Sequence, residues 1–147
     1  MSEVFVSAKV EIRAPRAHVQ SVAQSVGQAA SWLWAEAQVS EILASRDLPD
    51  GTRQIVVKDG DKLRDRVVSS EDGCVVLSSE YRPRRAEVRG RHLRYELQLE
   101  PGTGTTVATL GVAFEDRDAP EREVECRRWR RHAEQCLRRL VAVAEPS

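Results

Sequence analysis

The chain has 147 residues, of which 41% are hydrophobic and 31% charged. That length suits one domain with one core, and that much apolar material offsets chain entropy, which excludes an intrinsically disordered chain. Its 23 lysines and arginines balance 23 aspartates and glutamates, so no global field draws it to nucleic acid or to anionic lipid.

From Val4 to Ile12 the even positions Val4, Val6, Ala8, Val10 and Ile12 are apolar, while Ser7, Lys9, Glu11 and Arg13 are polar. This period of two predicts a half-buried strand. Pro15 suits a first helical turn, and Val19, Val22, Ala23 and Val26 then recur at helical spacing up to Gly27. Residues 29–37, AASWLWAEA, are expected to form a second short helix or turn. Turn residues at Pro49-Asp50-Gly51, Asp59-Gly60-Asp61, Glu71-Asp72-Gly73, 83–90 and 101–104 divide the middle of the chain into six strand-length segments. These are residues 38–46, 52–58, 62–70, 74–82, 91–100 and 105–115. Leu93, Tyr95, Leu97 and Leu99 alternate with polar residues in the fifth, as Ala108, Leu110, Val112 and Phe114 share one parity in the sixth.

Asp118 and Glu121 make a D-x-x-E capping pattern around Pro120, and no glycine or proline interrupts the chain from there to Ala144. Cys126, Trp129, Ala133, Cys136, Leu137, Leu140 and Ala144 fall on one stripe of the resulting helix, with most of its arginines off it. About 25 residues at 1.5 Å each reach nearly 40 Å, enough to cross a sheet. The pattern predicts a single α+β domain over residues 1–147: a curved, seven-stranded antiparallel sheet around a long C-terminal helix, with two short helices after the first strand.

Cys74, Cys126 and Cys136 form an odd set without C-x-x-C spacing, unlike a disulfide framework or a zinc site, which fits a reducing cytoplasm. The N-terminal MSEVFVSAKVEI lacks the basic and apolar regions of a leader, and no apolar run approaches the ~18 residues that span a bilayer. A cytoplasmic protein without membrane insertion is expected.

The element order, with VSAKVEIRAP near the start, the tryptophan cluster SWLWAE, Gly104-Thr105 opening the last strand and the terminal RRWRRHAEQCLRRL, resembles the START-like (SRPBCC, Bet v 1-like) superfamily over essentially the whole chain. Within it the sequence looks most like the bacterial branch named after the activator of the heat-shock chaperone ATPase (AHSA). The resemblance implies a helix-grip fold whose internal cavity, between sheet and terminal helix, often takes hydrophobic small molecules. Lipid carriers, plant allergens, polyketide cyclases and ring-hydroxylating oxygenases share that fold, so fold alone does not choose among them. The glycine-rich loop of the Bet v 1 type is missing from SRDLPDGTR, and His18, His92 and His132 lack the spacing of an iron site.

A cavity for a ring-bearing ligand calls for amphipathic aromatics on the inner face. Tyr95 and Tyr81 are the polar-handled candidates, with Trp32 and Trp34 at the mouth and Trp129 and Ala133 on the helix side. Each could equally fill the core, with a tyrosine bonding a neighbouring carbonyl. Glu41 and Asp65 share parity with apolar neighbours and are the catalytic candidates, unless an arginine partner or a mistaken register accounts for them. His132 and Cys136, four apart, could meet on the helix, but two ligands do not make a metal site. Arg127, Arg128, Arg130 and Arg131 stand among Glu121, Glu123, Glu125 and Glu134, which reads as a solvated, ion-paired face rather than a nucleic-acid patch.

A binding or carrier domain for a hydrophobic small molecule, without metal or cofactor, is the function expected. A polyketide cyclase or dehydratase using the same cavity is the first alternative and a chaperone-ATPase regulator the second. Oligomeric state is left open, a homodimer included.

Overall fold

The computed structural model describes residues 3–24, 42–47, 53–57, 62–82, 91–115 and 119–145. Strand β1 spans Glu3–Ile12 and helix α1 spans Arg16–Gln24. Six more strands come after it: β2 (Ile42–Asp47), β3 (Arg53–Val57), β4 (Lys62–Glu71), β5 (Cys74–Arg82), β6 (Arg91–Pro101) and β7 (Thr106–Glu115). Helix α2, Ala119–Ala144, closes the domain. The second short helix expected over 29–37 and the Asp118 cap lie outside the described residues, as do residues 38–41 of the first meander segment.

All pairings are antiparallel, and the order across the sheet is β1-β7-β6-β5-β4-β3-β2. The meander from β2 to β7 needs only local connections, whereas β1 joins it by pairing with the last strand, Val4 opposite Phe114 and Ile12 opposite Thr106. Irregular register between Ile42 and Ala44, and again between Val67 and Ser69, marks two bulges. An extra residue on one strand bends and twists it locally, which suits a sheet that must curve around a helix.

One face of the sheet carries the core. Val75 and Leu77 on β5, Leu93, Tyr95, Leu97 and Leu99 on β6, and Ala108, Leu110, Val112 and Phe114 on β7 are buried in a single cluster. Alternation along each strand sends these residues inward and their polar neighbours out. Against them α2 sets Trp129, Ala133, Cys136, Leu137, Leu140 and Ala144, all buried, while Arg127, Arg128, Arg130, Arg131, Arg138 and Arg139 are exposed. Cys126, expected on the same stripe, is only half-buried. The helix lies chiefly against β1 and β7.

Helix α1 fills one end of the seam, touching α2, β5 and β6 and burying Val19, Val22 and Ala23. Its polar side clasps the β4–β5 turn: Arg16 forms an ion pair with Asp72 at 3.0 Å, and the Gly73 amide donates to Gln20 Oε1 at 3.0 Å. Gly73 takes φ +81°, a conformation costly for residues with a Cβ, and its carbonyl accepts the Leu99 amide at 2.8 Å. The turn residue is thus what lets hairpin, β6 and helix meet.

Candidate functional site

The period of two on β6 and the helical period of α2 bring a set of polar groups together inside the apolar seam. On α2, Glu125, Trp129, His132 and Cys136 follow one another at intervals of four, three and four, which keeps them on one face. All four are buried, and His132 and Cys136 are fully so. From the sheet, Tyr95 projects to meet them. Its hydroxyl oxygen lies 2.9 Å from His132 Nε2, a hydrogen bond that ties β6 to α2.

The His132 ring is held on several sides. Trp129 meets it edge to face, with centroids 5.4 Å apart and planes at 82°. Tyr95 does likewise at 5.8 Å and 63°. Cys136 Sγ lies 3.6 Å from Nε2 and 3.8 Å from Nδ1. A sulfur nearly equidistant from both nitrogens lies along neither lone pair, so this arrangement does not suit one metal ion shared between thiolate and imidazole. Among the described residues no three histidine, cysteine or acidic side chains are grouped to hold a metal.

Burial pushes the His132 pKa down from 6.5 to about 4, because the imidazolium would lose its hydration in the apolar seam. The ring is therefore neutral near pH 7, with one nitrogen donating and the other accepting. Seven residues earlier on the helix, Glu125 accepts a hydrogen bond from the Trp129 indole N–H at 2.6 Å, and Arg128 lies 3.9 Å from its other oxygen. Phe114 covers the indole at 6.4 Å between centroids.

The structure brings together Tyr95, Trp129 and Ala133 of the expected ligand-binding set. Tyr95 and Ala133 are fully buried and Trp129 retains 8% exposure. The tyrosine hydroxyl bonds His132. Tyr81 is on β5, opposite Leu63 and Arg91 in register. Asp65 is on β4, opposite Ser79 and Arg53 in register. Glu41, Trp32 and Trp34 lie outside the described residues.

Two features of α2 differ from the sequence-based expectation. Glu125 does not belong to the solvated face; Glu123 pairs with Arg127 there at 3.1 Å, but Glu125, though within 3.9 Å of Arg128, is buried against Trp129. His132 belongs to the apolar stripe: it stands three residues after Trp129 and four before Cys136, and a stripe of ordinary width includes it. The other two histidines do not join it. His18 is exposed on α1, and His92 is exposed on β6 with Nε2 2.7 Å from Ser78 Oγ.

No helix among the described residues is long and apolar enough to cross a membrane. No family model matches the sequence, and no curated protein matches it either. Solved structures do. The protein XoxI from Bacillus cereus superposes with a TM-score of 0.69 at 16% identity, covering 96% of this chain and 95% of its own. Ara h 8.0201, a Bet v 1-type protein, gives 0.66 at 10% identity over 97% and 98% of the two chains. A START superfamily protein from Mycobacterium smegmatis gives 0.62 at 13% identity over 95% and 96%. Likeness along nearly the whole of both chains shows that this chain, with its sheet wrapped about a C-terminal helix, has the START/Bet v 1-like fold.

Proposed function

We propose that the chain binds an apolar, ring-bearing small molecule between the inner face of the sheet and α2, with Trp129 as a wall and the Tyr95–His132 bond as the polar contact. The observation that carries this reading is that bond. A neutral histidine and a tyrosine hydroxyl meet, both fully buried, in a seam otherwise built mostly from aliphatic and aromatic side chains. Stability alone is served as well by an apolar pair, since removing polar groups from water opposes their burial. A few convergent polar groups in an apolar surround are what orients a bound ligand. The START and Bet v 1 neighbours support the same reading at the level of fold.

A second reading uses the same residues as an enzyme of the cyclase or dehydratase kind. A neutral imidazole bonded to a phenol is a pair through which a proton can pass to or from a held substrate.

Titration with the neutral fluorophore N-phenyl-1-naphthylamine tests the binding reading. Saturable one-to-one binding is expected, weakened about tenfold in Tyr95→Phe, the worth of one buried hydrogen bond. Absence of saturable binding, or a Tyr95→Phe protein indistinguishable from wild type, contradicts the assignment. Turnover of a polyketone substrate that disappears in His132→Gln while the fluorophore still binds would favour the enzyme.

A further inference from the structure

The contacts along α2 form an ordered series. Arg128, at the surface, lies 3.9 Å from Glu125; Glu125 takes the Trp129 indole N–H at 2.6 Å; the indole meets the His132 ring at 82°; and His132 Nε2 meets Tyr95 Oη at 2.9 Å. We infer that Glu125 is a positioning residue: by fixing the Trp129 indole it fixes the His132 ring, and so the direction in which the Tyr95–His132 pair faces a ligand. The inference rests on the reading of this seam as the ligand site.

Several observations lead there. Glu125 is the one acidic residue of α2 that is buried among those described, while Glu123 and Glu134 are exposed. A carboxylate is an expensive means of filling space, since its desolvation opposes burial unless charge-assisted bonds offset it. Its short bond goes to an indole on the same helix, four residues on, and that bond restricts the Trp129 rotamer. Trp129 in turn has aromatic neighbours on two sides, Phe114 from β7 and His132 from its own helix. An indole free to turn would let water reach the His132 ring. Tyr95 from β6, with Trp129 and Cys136 from α2, touch that ring, so its titration reports on whether they stay in place.

The test compares Glu125→Gln, Glu125→Leu and Trp129→Phe with wild type. The His132 titration midpoint is read by nuclear magnetic resonance, and affinity is read with N-phenyl-1-naphthylamine. Glutamine keeps an acceptor for the indole, so its midpoint should stay within about 0.3 unit of wild type and its affinity within about threefold. Glu125→Leu should raise the midpoint by about one unit or more toward the ordinary histidine value and weaken the fluorophore by about tenfold or more. Trp129→Phe, which removes the donated N–H and keeps an aromatic ring, should shift both in the same direction should the leucine variant not fold. A folded Glu125→Leu or Trp129→Phe protein with unchanged midpoint and affinity overturns the inference. A moved midpoint, in a set of proteins none of which binds the fluorophore, supports the positioning of the ring and overturns the ligand reading instead.

Discussion

Acidification from pH 6.5 to 4 is expected to remove about 3 kcal/mol of folding stability through His132 alone. The unfolded ring takes a proton near 6.5, whereas the folded ring, buried between Tyr95, Trp129 and Cys136, does not do so until about 4. Between those values the unfolded state binds more protons, so stability falls as pH falls. Above 6.5 neither state is protonated at this site and the full contribution is present; below 4 both are, and no further loss arises from it. Guanidinium unfolding at a series of pH values measures the slope. Carboxylates add their own acid dependence, so the decisive comparison is with His132→Gln, which should lose the part of the slope lying between 6.5 and 4. An identical slope in that variant would show that the imidazole is not held neutral by the fold.

Leu140→Ala is expected to cost about 2–5 kcal/mol, the range for truncating a buried leucine when its surroundings only partly collapse. Leu140 has no exposed surface and joins the cluster that links α2 to the sheet. Its neighbour Arg139 is exposed, and Arg139→Ala should change stability by no more than about 0.5 kcal/mol. Chemical denaturation of the two variants side by side checks the claim that one stripe of α2 supplies the grip. Equal small effects would mean that the helix is attached by something other than that stripe.

Much of this architecture is readable from the sequence because burial on one face imposes a period. β1 and β6 alternate cleanly since one side of the sheet meets the core and the other meets water, and the α2 stripe arises from the same cause at a helical period. The strand segments 52–58, 62–70, 74–82, 91–100 and 105–115 agree with β3 to β7 to within a residue or so at their ends. What periodicity does not carry is long-range pairing. Nothing in the local pattern of Val4 and Val6 names Phe114 and Val112 as their partners, because that choice depends on which edge of the meander is left open. The bulge between Val67 and Ser69 is also illegible. It breaks the period by which the strand is recognised, and it leaves Val68 half exposed where alternation alone gives no reason for it.

The site is legible in part, for a similar reason. Tyr95 is recoverable because its strand has an unambiguous parity. His132 is recoverable only as a neighbour of Cys136 four residues on, and Glu125 is not recoverable, because a charged residue on an arginine-rich helix resembles its solvated neighbours. Only the folded helix, docked on its sheet, reveals that Trp129 supplies a donor to one and Tyr95 a hydroxyl to the other. Asp65 is ambiguous in sequence because the residues opposite it, Arg53 and Ser79, belong to other strands and are set there only by the sheet register.

Uptake of an apolar, ring-bearing molecule into the seam between sheet and helix is tested most directly by native mass spectrometry of the protein purified from its own host. A stoichiometric adduct of small mass is expected, reduced in Tyr95→Phe and lost once acid has protonated His132. An apo mass from host-purified protein, together with no saturable uptake of N-phenyl-1-naphthylamine, would contradict the binding function and leave the Tyr95–His132 bond as a feature of the core.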